Sequence, residues 1–189
     1  MLNDAERAEI DRLWTRKVAQ DEAKLPKSER HRNLEPDSAE LLVALVAGLK
    51  AKRLVEIGGS SGLSTIALAA AARRTGGKLV SIEIEPVRQA EARGTIERLG
   101  LGGFVDFVLG DAHQALRGLP EVDFALIDAE KEDYAGFFDA LRLRKGGIVV
   151  ADNIVSHDLR EYVAHVRGKP GVSSVTLEVG KGLEVTRVD

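Results

Sequence analysis

The sequence contains no cysteine, and this absence excludes disulfide bonds, thiolate metal sites and a cysteine nucleophile. A chain without thiols is compatible with a reducing compartment. Aromatic residues are also scarce, at 4% of the 189 positions, so a broad stacking surface for nucleic-acid bases is not expected. The side chains left for chemistry are carboxylates, amides, hydroxyls, lysines and histidines.

The chain also lacks an excess of basic charge and a long hydrophobic run. Its formal net charge is −3, which disfavours binding to nucleic acid through bulk charge. The most apolar stretch, residues 41–49, is too short to span a bilayer. The charged N-terminus has no apolar centre of the kind that a signal peptide needs. We therefore expect a cytoplasmic protein with neither nucleic acid nor a membrane as a partner.

From residue 53 onward, patterns typical of strands and helices alternate. Strands are predicted at 53–57, 78–84, 104–109, 122–127, 147–151, 172–179 and 183–188. Several of them are continuous apolar runs, as expected of parallel strands that are buried on both faces. Gly180-Lys181-Gly182 indicates a hairpin between the last two strands. The prediction is an α/β fold: a Rossmann-like, doubly wound, mostly parallel seven-stranded sheet with helices on both faces and an antiparallel C-terminal hairpin.

The whole chain, 1–189, is predicted to form one domain, in which residues 1–37 provide an N-terminal helix and a lid segment. Apolar residues at three- and four-residue spacing predict a helix over 4–24. Pro26 and Pro36 bracket a polar segment, 27–35, that is predicted to be a loop. Asp37 or Ser38 is predicted to cap a helix that runs to residue 49. Further helices are predicted at 63–74, 86–100, 134–143 and 158–167, with a short one ending at residue 116.

A glycine-rich loop, Glu56-Ile57-Gly58-Gly59-Ser60-Ser61-Gly62, lies between a predicted strand and a predicted helix. In an open α/β sheet the first such turn is the usual cofactor site, and glycines let the backbone approach a ligand closely. The spacing matches neither the dinucleotide pattern Gly-x-Gly-x-x-Gly nor a P-loop. Glu56 places a carboxylate at the strand end, which suits a cationic ligand such as a sulfonium with an α-amino group. A tight turn without function is the alternative.

The second predicted strand ends in acidic residues. Glu83 lies about 20 residues beyond the glycine loop, a position suited to binding ribose hydroxyls. Glu85 is the second candidate for this role. A solvated acidic strand end is the alternative.

Two later strands are each followed by an aspartate. Asp128 follows 122–127, and Asp152 and Asn153 follow 147–151. If these strands are parallel neighbours, the three side chains meet at the edge that carries the glycine loop. Two carboxylates and an amide form an oxygen-only site of the kind that Mg²⁺ or Ca²⁺ accepts. Capping of the following helices is an equally weighted alternative.

Lys131 and Tyr134 follow Asp128 at three-residue steps. A lysine beside a cation can have a lowered pKa and act as a general base. Tyr134 is expected on the same helical face as Lys131. A solvent-exposed lysine without a role is the alternative.

Taken together, these segments resemble the cation-dependent, catechol-type O-methyltransferases of the class I methyltransferase fold. The resemblance covers about residues 31–189. The segments that carry it are VEIGGSSGLST (55–65), SIEIEP (81–86), GDAHQAL (110–116), IDAEKEDY (127–134) and VVADNI (149–154). The IDAEKEDY and VVADNI elements are specific in combination, whereas the glycine loop alone fits any class I methyltransferase.

The resemblance implies S-adenosylmethionine as the cofactor and a divalent cation, Mg²⁺ or else Ca²⁺ or Mn²⁺. It implies that Asp128, Asp152 and Asn153 bind the metal and that Lys131, with Asp128, carries the catalysis. The residues implied at the cofactor are Leu34, Glu56, Gly58, Ser60, Gly62, Ser64, Glu83, Ile84, Asp111, Ala112 and Asp128. The residues implied at the substrate are Lys131, Asn153, Tyr134 and Glu184, the last because Gly182-Leu183-Glu184 matches a motif of the animal catechol enzymes.

The function expected from the resemblance is metal-dependent methylation of a hydroxyl on a small acceptor with vicinal hydroxyls, in a protein that forms a homodimer. Two alternatives remain: a metal-independent class I methyltransferase for another small molecule, and a protein that binds S-adenosylmethionine or its product without catalysis. The sequence departs from the family at Gly59, where Thr or Ala is usual, and at Leu63, where Tyr is usual. After Asn153 it has Ser156 and His157 in place of flanking aromatics, so the acceptor stays open.

Overall fold

The computed structural model describes residues 2–26 and 29–189. Its helices are α1 (Asp4–Glu22), α2 (Pro36–Leu49), α3 (Leu63–Thr75), α4 (Pro86–Arg98), α5 (Ala112–Arg117), α6 (Tyr134–Ala140) and α7 (Arg160–Arg167), with 3₁₀ turns at Gly102–Phe104 and Lys131–Asp133. Its strands are β1 (Arg53–Ile57), β2 (Lys78–Glu83), β3 (Val105–Leu109), β4 (Val122–Ile127), β5 (Leu143–Ala151), β6 (Val172–Leu177) and β7 (Leu183–Val188).

The strands form one seven-stranded sheet in the order β3-β2-β1-β4-β5-β7-β6. The first five strands are parallel, and β7 is antiparallel to both β5 and β6. This confirms the predicted fold. The chain order reverses between β1 and β4, and ligands of open α/β sheets bind at such a switch point, outside the carboxyl ends of the strands.

The sheet separates two hydrophobic clusters. Leu54 and Phe124 belong to the cluster formed with α1, α2 and α3, whereas the neighbouring Val55 and Ala125 belong to the cluster formed with α5, α6 and α7. Alternate side chains of a strand point to opposite faces, so each strand contributes to both clusters. Apolar side chains are therefore needed on both faces of β1 and β4, and Leu54, Val55 and Ile57 of β1 and residues 124–127 of β4 provide them.

The boundaries of α6 and β5 differ from the prediction. Helix α6 ends at Ala140 rather than at residue 143, and β5 begins at Leu143 rather than at residue 147. Leu143 already pairs with Val122, and the register then shifts before Phe124 pairs with Ile148. The segment 143–146 therefore extends the strand across an irregularity, which its charged residues concealed in the sequence.

Helix α1 is fixed at its first turn. Asn3 and Glu6 form a capping box, in which the Glu6 amide donates to Asn3 at 2.9 Å and the Asn3 amide donates to Glu6 at 2.8 Å. The buried Glu6 carboxylate also pairs with Arg73 of α3 at 2.7 Å. These contacts dock α1 on α3, and so they place the far end of α1 beside the carboxyl edge of the sheet.

The entry to α2 differs from the prediction. Neither Asp37 nor Ser38 caps this helix: Glu35 occupies the N-cap without a side-chain hydrogen bond, and Pro36 is the first helical residue. Proline suits that position because its missing amide needs no partner there. Residues 29–35 of the predicted loop are neither helix nor strand, and residues 27 and 28 lie outside the described residues. Across 2–26 and 29–189, no helix combines the length and the apolarity needed to cross a membrane.

Candidate active site

A cavity of about 510 Å³ opens at the carboxyl ends of the central strands. Gly58 lies in its wall, with a φ of +93°. A Cβ atom at Gly58 would stand 2.0 Å from the backbone oxygen of Asp128. The glycine loop after β1 and the turn after β4 therefore touch backbone to backbone, and only glycine permits this approach. The volume lies within the usual range of small-molecule sites.

The end of the glycine loop and the first turn of α3 pack behind the cavity wall. Gly62 has a φ of +101° and a Cβ there would meet Ala92 of α4 at 3.0 Å, so Gly62 lets α3 and α4 pack closely. Gly62 and Ser64 were both predicted at the cofactor, but neither lines the cavity. Ser64 is buried in the first turn of α3. Both positions hold the loop in shape.

Glu56 lies beneath the loop, fully buried, and does not line the cavity. Its Oε2 accepts hydrogen bonds from Ser81 Oγ at 2.5 Å and from Thr65 Oγ1 at 2.7 Å. Burial raises the pKa of this carboxyl, and these hydroxyl donors, together with Ser64, oppose the rise. The prediction of a carboxylate exposed to the ligand is corrected: Glu56 braces β1, β2 and α3 against one another. Its Oε1 atom has no hydrogen-bond partner.

Glu83 does line the cavity, together with Ser60 and Ile84. The Ser60 amide donates to Glu83 Oε2 at 2.7 Å, and the Glu85 amide donates to Glu83 Oε1 at 2.9 Å. These bonds orient the carboxylate while leaving lone pairs free for further donors. Glu85 itself is exposed and outside the lining.

Asp111 and Ala112 border the same end of the cavity. The Asp111 carboxylate accepts from the His113 amide at 2.6 Å and so caps α5. The His113 ring packs against Phe137 of α6 with 4.5 Å between ring centroids. His113 and Phe137 thus place two packed rings in the lining of the cavity that also contains Glu83 and Ile84.

Three residues meet at the end of β4. Lys131 Nζ donates to Asp128 Oδ1 at 3.2 Å and to the Tyr134 hydroxyl at 2.6 Å. Asp128 and Lys131 line the cavity, whereas Tyr134 is fully buried behind them. Tyr134 was predicted at the substrate, and the structure corrects this: its hydroxyl holds the lysine amine. Burial, followed by the charges of Asp128 and Asp152, raises the pKa of Tyr134 well above its ordinary value.

Asp152 and Asn153 stand beside them at the end of β5. The backbone amides of Asp128 and Asp152 donate to the last residues of β1 and β4, Ile57 and Ile127, at 2.9 and 3.0 Å. Asn153 lines the cavity in a left-handed conformation, with φ +67°, and its amide donates to Asp152 Oδ2 at 2.5 Å. Asp152 is fully buried behind it, and its Oδ1 has no partner.

The electrostatics of this corner fit a cation. Burial raises the pKa of Asp128, against the lowering effect of Lys131. Burial, and then the charge of Asp128, raises the pKa of Asp152 to about 8. Two such carboxylates, one with an unpartnered oxygen, form a hard oxygen donor set with the Asn153 amide. Within the described residues, no three histidine, cysteine, aspartate or glutamate side chains form a metal site by themselves, so this set depends on the amide.

Glu184 and Leu34 lie away from the cavity. The Glu184 carboxylate is fully buried and accepts from Arg167 at 2.8 Å, from Ser174 at 2.6 Å and from Thr176. The predicted substrate contact of Glu184 is therefore wrong, because these donors hold it within the β6–β7 hairpin. Leu34 is a buried core residue, and the preceding residue, Asn33, lines the cavity instead.

The sequence reasoning missed Lys17 of α1 and Lys181 of the β6–β7 turn, both of which line the cavity. The topology contained a signal for Lys181. Since β7 runs antiparallel to β5, the turn before β7 must lie at the carboxyl end of β5, beside Asn153. No sequence signal pointed to Lys17, whose position depends on how α1 docks.

Comparison with known proteins identifies relatives of this chain. The chain is 33% identical over 142 residues to the catechol O-methyltransferase of Mycobacterium tuberculosis, covering 73% of this chain and 62% of that protein. It is 35% identical over 130 residues to the catechol O-methyltransferase of Niastella koreensis, covering 65% and 58%. The crystal structure of a Bacillus cereus O-methyltransferase in complex with SAH superposes with a TM-score of 0.81 at 25% identity, covering 100% of this chain and 93% of that one.

The chain spans 55–62% of the length of four curated relatives that it matches. The family model described as O-methyltransferase matches residues 8–179. That match includes most of α1, the glycine loop and the turns after β4 and β5. The chain therefore belongs to the O-methyltransferase family.

Proposed function

We propose that this chain is an S-adenosylmethionine-dependent, divalent-cation-dependent O-methyltransferase that methylates a hydroxyl of a small acceptor with vicinal hydroxyls. The observation that carries the proposal is the convergence of Asp128, Lys131, Asp152 and Asn153 beside the glycine loop. Two relatives are named catechol O-methyltransferases, which supports the choice of acceptor.

One end of the cavity suits the cofactor. S-adenosylmethionine supplies a methyl group on a positively charged sulfur, which becomes a neutral thioether when an oxygen nucleophile takes that methyl group. Glu83 would accept hydrogen bonds from ribose hydroxyls, and His113 and Phe137 would flank the adenine. The loop backbone at Gly58 would contact the cofactor closely, and the Asp128 carboxylate would favour its positive charge.

The other end suits the acceptor and the metal. Asp128, Asp152 and Asn153 would hold the divalent cation, and the cation would supply Lewis-acid stabilisation of negative charge on the acceptor oxygen. Phenolic hydroxyls have pKa values near 10, so few are ionised at neutral pH. Lys131 accepts the hydroxyl proton at Nζ. Asp128 and Tyr134 position that amine, and much of the rate comes from holding the oxygen near the methyl carbon.

The first experiment measures methyl transfer from S-adenosylmethionine to catechol with added Mg²⁺ and after complete chelation. We expect turnover with Mg²⁺ and its loss with EDTA, and the same loss in Asp152→Ala. SAH binding, measured by calorimetry, is expected to persist in Asp152→Ala. Activity that survives chelation would establish the metal-independent alternative, and SAH binding without transfer to any acceptor would establish a binding protein.

The second experiment tests the base. Lys131→Ala is expected to lower kcat by about 10²–10⁴-fold, the usual contribution of a general base, with SAH affinity unchanged. Lys145→Ala removes an exposed lysine outside the cavity lining and serves as the control. Parallel loss of SAH binding and turnover in Lys131→Ala, or wild-type turnover in it, would contradict the assignment.

A further inference from the structure

A second cavity, of about 430 Å³, opens at the opposite edge of the sheet, where β1 and β4 begin. Arg53 is the first residue of β1, whereas Ile57, the last, lines the cofactor cavity. The length of β1 therefore separates the two cavities by roughly 15 Å. The residues that line the second cavity are Lys50, Lys52, Arg53, Asp123 and Arg144.

The backbone beneath this cavity is fixed on both sides. The Lys52 and Arg53 amides donate to Asp123 Oδ2 at 2.6 and 2.8 Å. The Lys52 carbonyl accepts from the Lys78 amide at 2.7 Å, and a Cβ atom at Gly77 would stand 2.5 Å from that carbonyl oxygen. The start of β1 is thus held between the starts of β2 and β4. Side chains on such a backbone lose less freedom when they bind a ligand.

Arg144 reaches the cavity from the irregular start of β5. The register shifts after Leu143, and a Cβ atom at Gly147 would lie 2.9 Å from the Arg144 carbonyl oxygen, so the bend leaves no room for a side chain there. Arg144 Nε lies 2.6 Å from Asp123 Oδ1. Asp123 is 5% exposed, and two amides and one guanidinium already occupy its carboxylate.

The other three cations of the lining have no carboxylate partner. Lys52 Nζ donates to the carbonyl oxygen of Thr75, at the end of α3. Across residues 2–26 and 29–189, no carboxylate forms an ion pair with Lys50 or Arg53. Their charges are therefore available to an anion that enters the cavity.

The surroundings do not cancel this positive charge. The segments at the starts of β1, β4 and β5, residues 50–53, 121–123 and 142–147, contain six lysines and arginines but two acids, Glu121 and Asp123. The C-termini of α2 and α3 add about half a negative charge each. Four neighbouring ion pairs are neutral: Lys78–Asp106, Arg73–Glu6, Lys169–Asp139 and Arg187–Asp189. An excess of about three positive charges remains, in a chain whose net charge is −3.

An excess of this size matches a polyvalent anion better than a single carboxylate. A phosphate group carries about 1.5 to 2 negative charges at neutral pH, and a diphosphate carries more. The planar guanidinium of Arg53 can donate two parallel hydrogen bonds to phosphate oxygens, and the lysine ammonium groups donate three each. The cavity volume lies within the range of small-molecule sites.

We propose that this edge of the sheet holds a second ligand site, in which Lys50, Lys52 and Arg53 bind a polyphosphate group beside the Arg144–Asp123 pair. Free pyrophosphate and the diphosphate of a nucleotide share this chemistry. The site goes beyond the proposed function and requires neither SAH nor a metal ion.

Calorimetric titration of sodium pyrophosphate into the full chain, at low ionic strength and without divalent cations, tests the site. We expect one pyrophosphate per chain, with the same Kd in the free and the SAH-loaded protein because the two cavities lie at opposite edges. Added salt is expected to weaken the binding. ADP titrated into the SAH-loaded protein distinguishes the sources: tighter binding than pyrophosphate identifies a nucleotide, and equal or weaker binding identifies free polyphosphate.

Two variants on different elements assign the binding to this cavity. Arg53→Gln and Lys50→Gln are each expected to raise the Kd for pyrophosphate by about tenfold or more, the effect of a lost charge-assisted hydrogen bond. SAH binding is expected to stay unchanged in both. Arg160→Gln, the matched control, removes a guanidinium that is 89% exposed and outside both cavities, and it is expected to keep the wild-type Kd. Thermal unfolding checks that each variant folds.

Three results would overturn the proposal. Pyrophosphate might fail to bind the wild-type protein at concentrations up to about 10 mM, where even a weak specific site is detected. SAH might displace pyrophosphate, which would place the anion in the cofactor cavity instead. Equal weakening in Arg160→Gln and Arg53→Gln would show attraction to surface charge in general, without a defined site.

Discussion

Three buried glutamate and aspartate side chains show how far the surroundings of one residue decide its use. Glu56 and Asp152 are fully buried, each with one unpartnered oxygen, and burial raises the pKa of both. Glu184 is as deeply buried, but the donors Arg167, Ser174 and Thr176 outweigh burial and lower its pKa. Glu184 has hydrogen-bond donors on both carboxylate oxygens, whereas Glu56 and Asp152 each keep one oxygen without a partner.

The Glu184 network predicts a pH-dependent stability. Because the folded pKa lies below the ordinary value of 4.5, the stabilisation is fully present above that value and is lost as the pH falls through the folded pKa. Glu184→Gln is expected to lower the free energy of unfolding by about 1–3 kcal/mol at neutral pH, with the difference from wild type narrowing below about pH 4. Urea unfolding of wild type and variant, at neutral pH and again below about pH 4, measures this difference in unfolding free energy.

Glu178→Gln is the matched control, because Glu178 is exposed and lies in the same hairpin, directly after β6. It is expected to change the free energy of unfolding by no more than about 0.5 kcal/mol. A pH-independent loss in Glu184→Gln would mean that shape rather than charge matters at this position.

At the scale of elements, the site is assembled from turns that touch. The loop after β1 and the turn after β4 meet at Gly58 and Asp128, where no side chain fits. Sequence reasoning identified both turns correctly as neighbours, because parallel strands bring their carboxyl ends to one edge. It could not show that Gly62 and Ser64 are buried by the packing of helices instead of lining the cavity, since that depends on how α3 and α4 approach each other.

Gly58→Ala tests this contact. A methyl group would meet the Asp128 carbonyl in a left-handed conformation, so we expect a loss of at least about 1–3 kcal/mol in unfolding free energy. SAH binding is expected to weaken at the same time, because the loop must move away from β4. Urea unfolding and calorimetry provide the two readings.

Gly48→Ala is the comparison for this substitution. Gly48 lies in α2, and a Cβ there meets no atom within 4 Å. Alanine is therefore expected to stabilise the helix by about 0.5–1 kcal/mol and to leave SAH binding unchanged. Equal behaviour of the two variants would contradict the role given to Gly58.

At the scale of the whole molecule, the mostly parallel sheet was predictable, whereas the docking of α1 was not. Alternating patterns and the Gly180–Gly182 turn were sufficient for a parallel sheet with a terminal hairpin. The positions of Lys17 and Asn33 depend instead on tertiary contacts such as the Glu6–Arg73 pair, which no periodicity reveals. The positions of the candidate metal residues were predictable because they follow strands directly. The match to a three-residue motif, in contrast, led to a wrong prediction for Glu184.

The cofactor proposal has a consequence for the stability of the whole fold. A ligand that binds only the folded state stabilises it by about 2.7 kcal/mol at one hundred times its Kd. For a domain of this size we expect SAH to raise Tm by roughly 5–10 °C at that concentration. Thermal unfolding with NAD at the same concentration is the control, since the glycine spacing does not fit a dinucleotide. Equal shifts, or no shift with SAH, would contradict the assignment.

Lys17 and Lys181 reach the cavity wall from elements that flank strands β1–β5 in the sequence. Lys17 precedes β1 and Lys181 follows β5, whereas Gly58, Glu83 and His113 lie between them. Substitutions in α1 or in the β6–β7 turn therefore alter one part of the cavity wall and leave these three residues in place. If the proposed function holds, variant libraries directed at these two segments are expected to change the acceptor more readily than the cofactor.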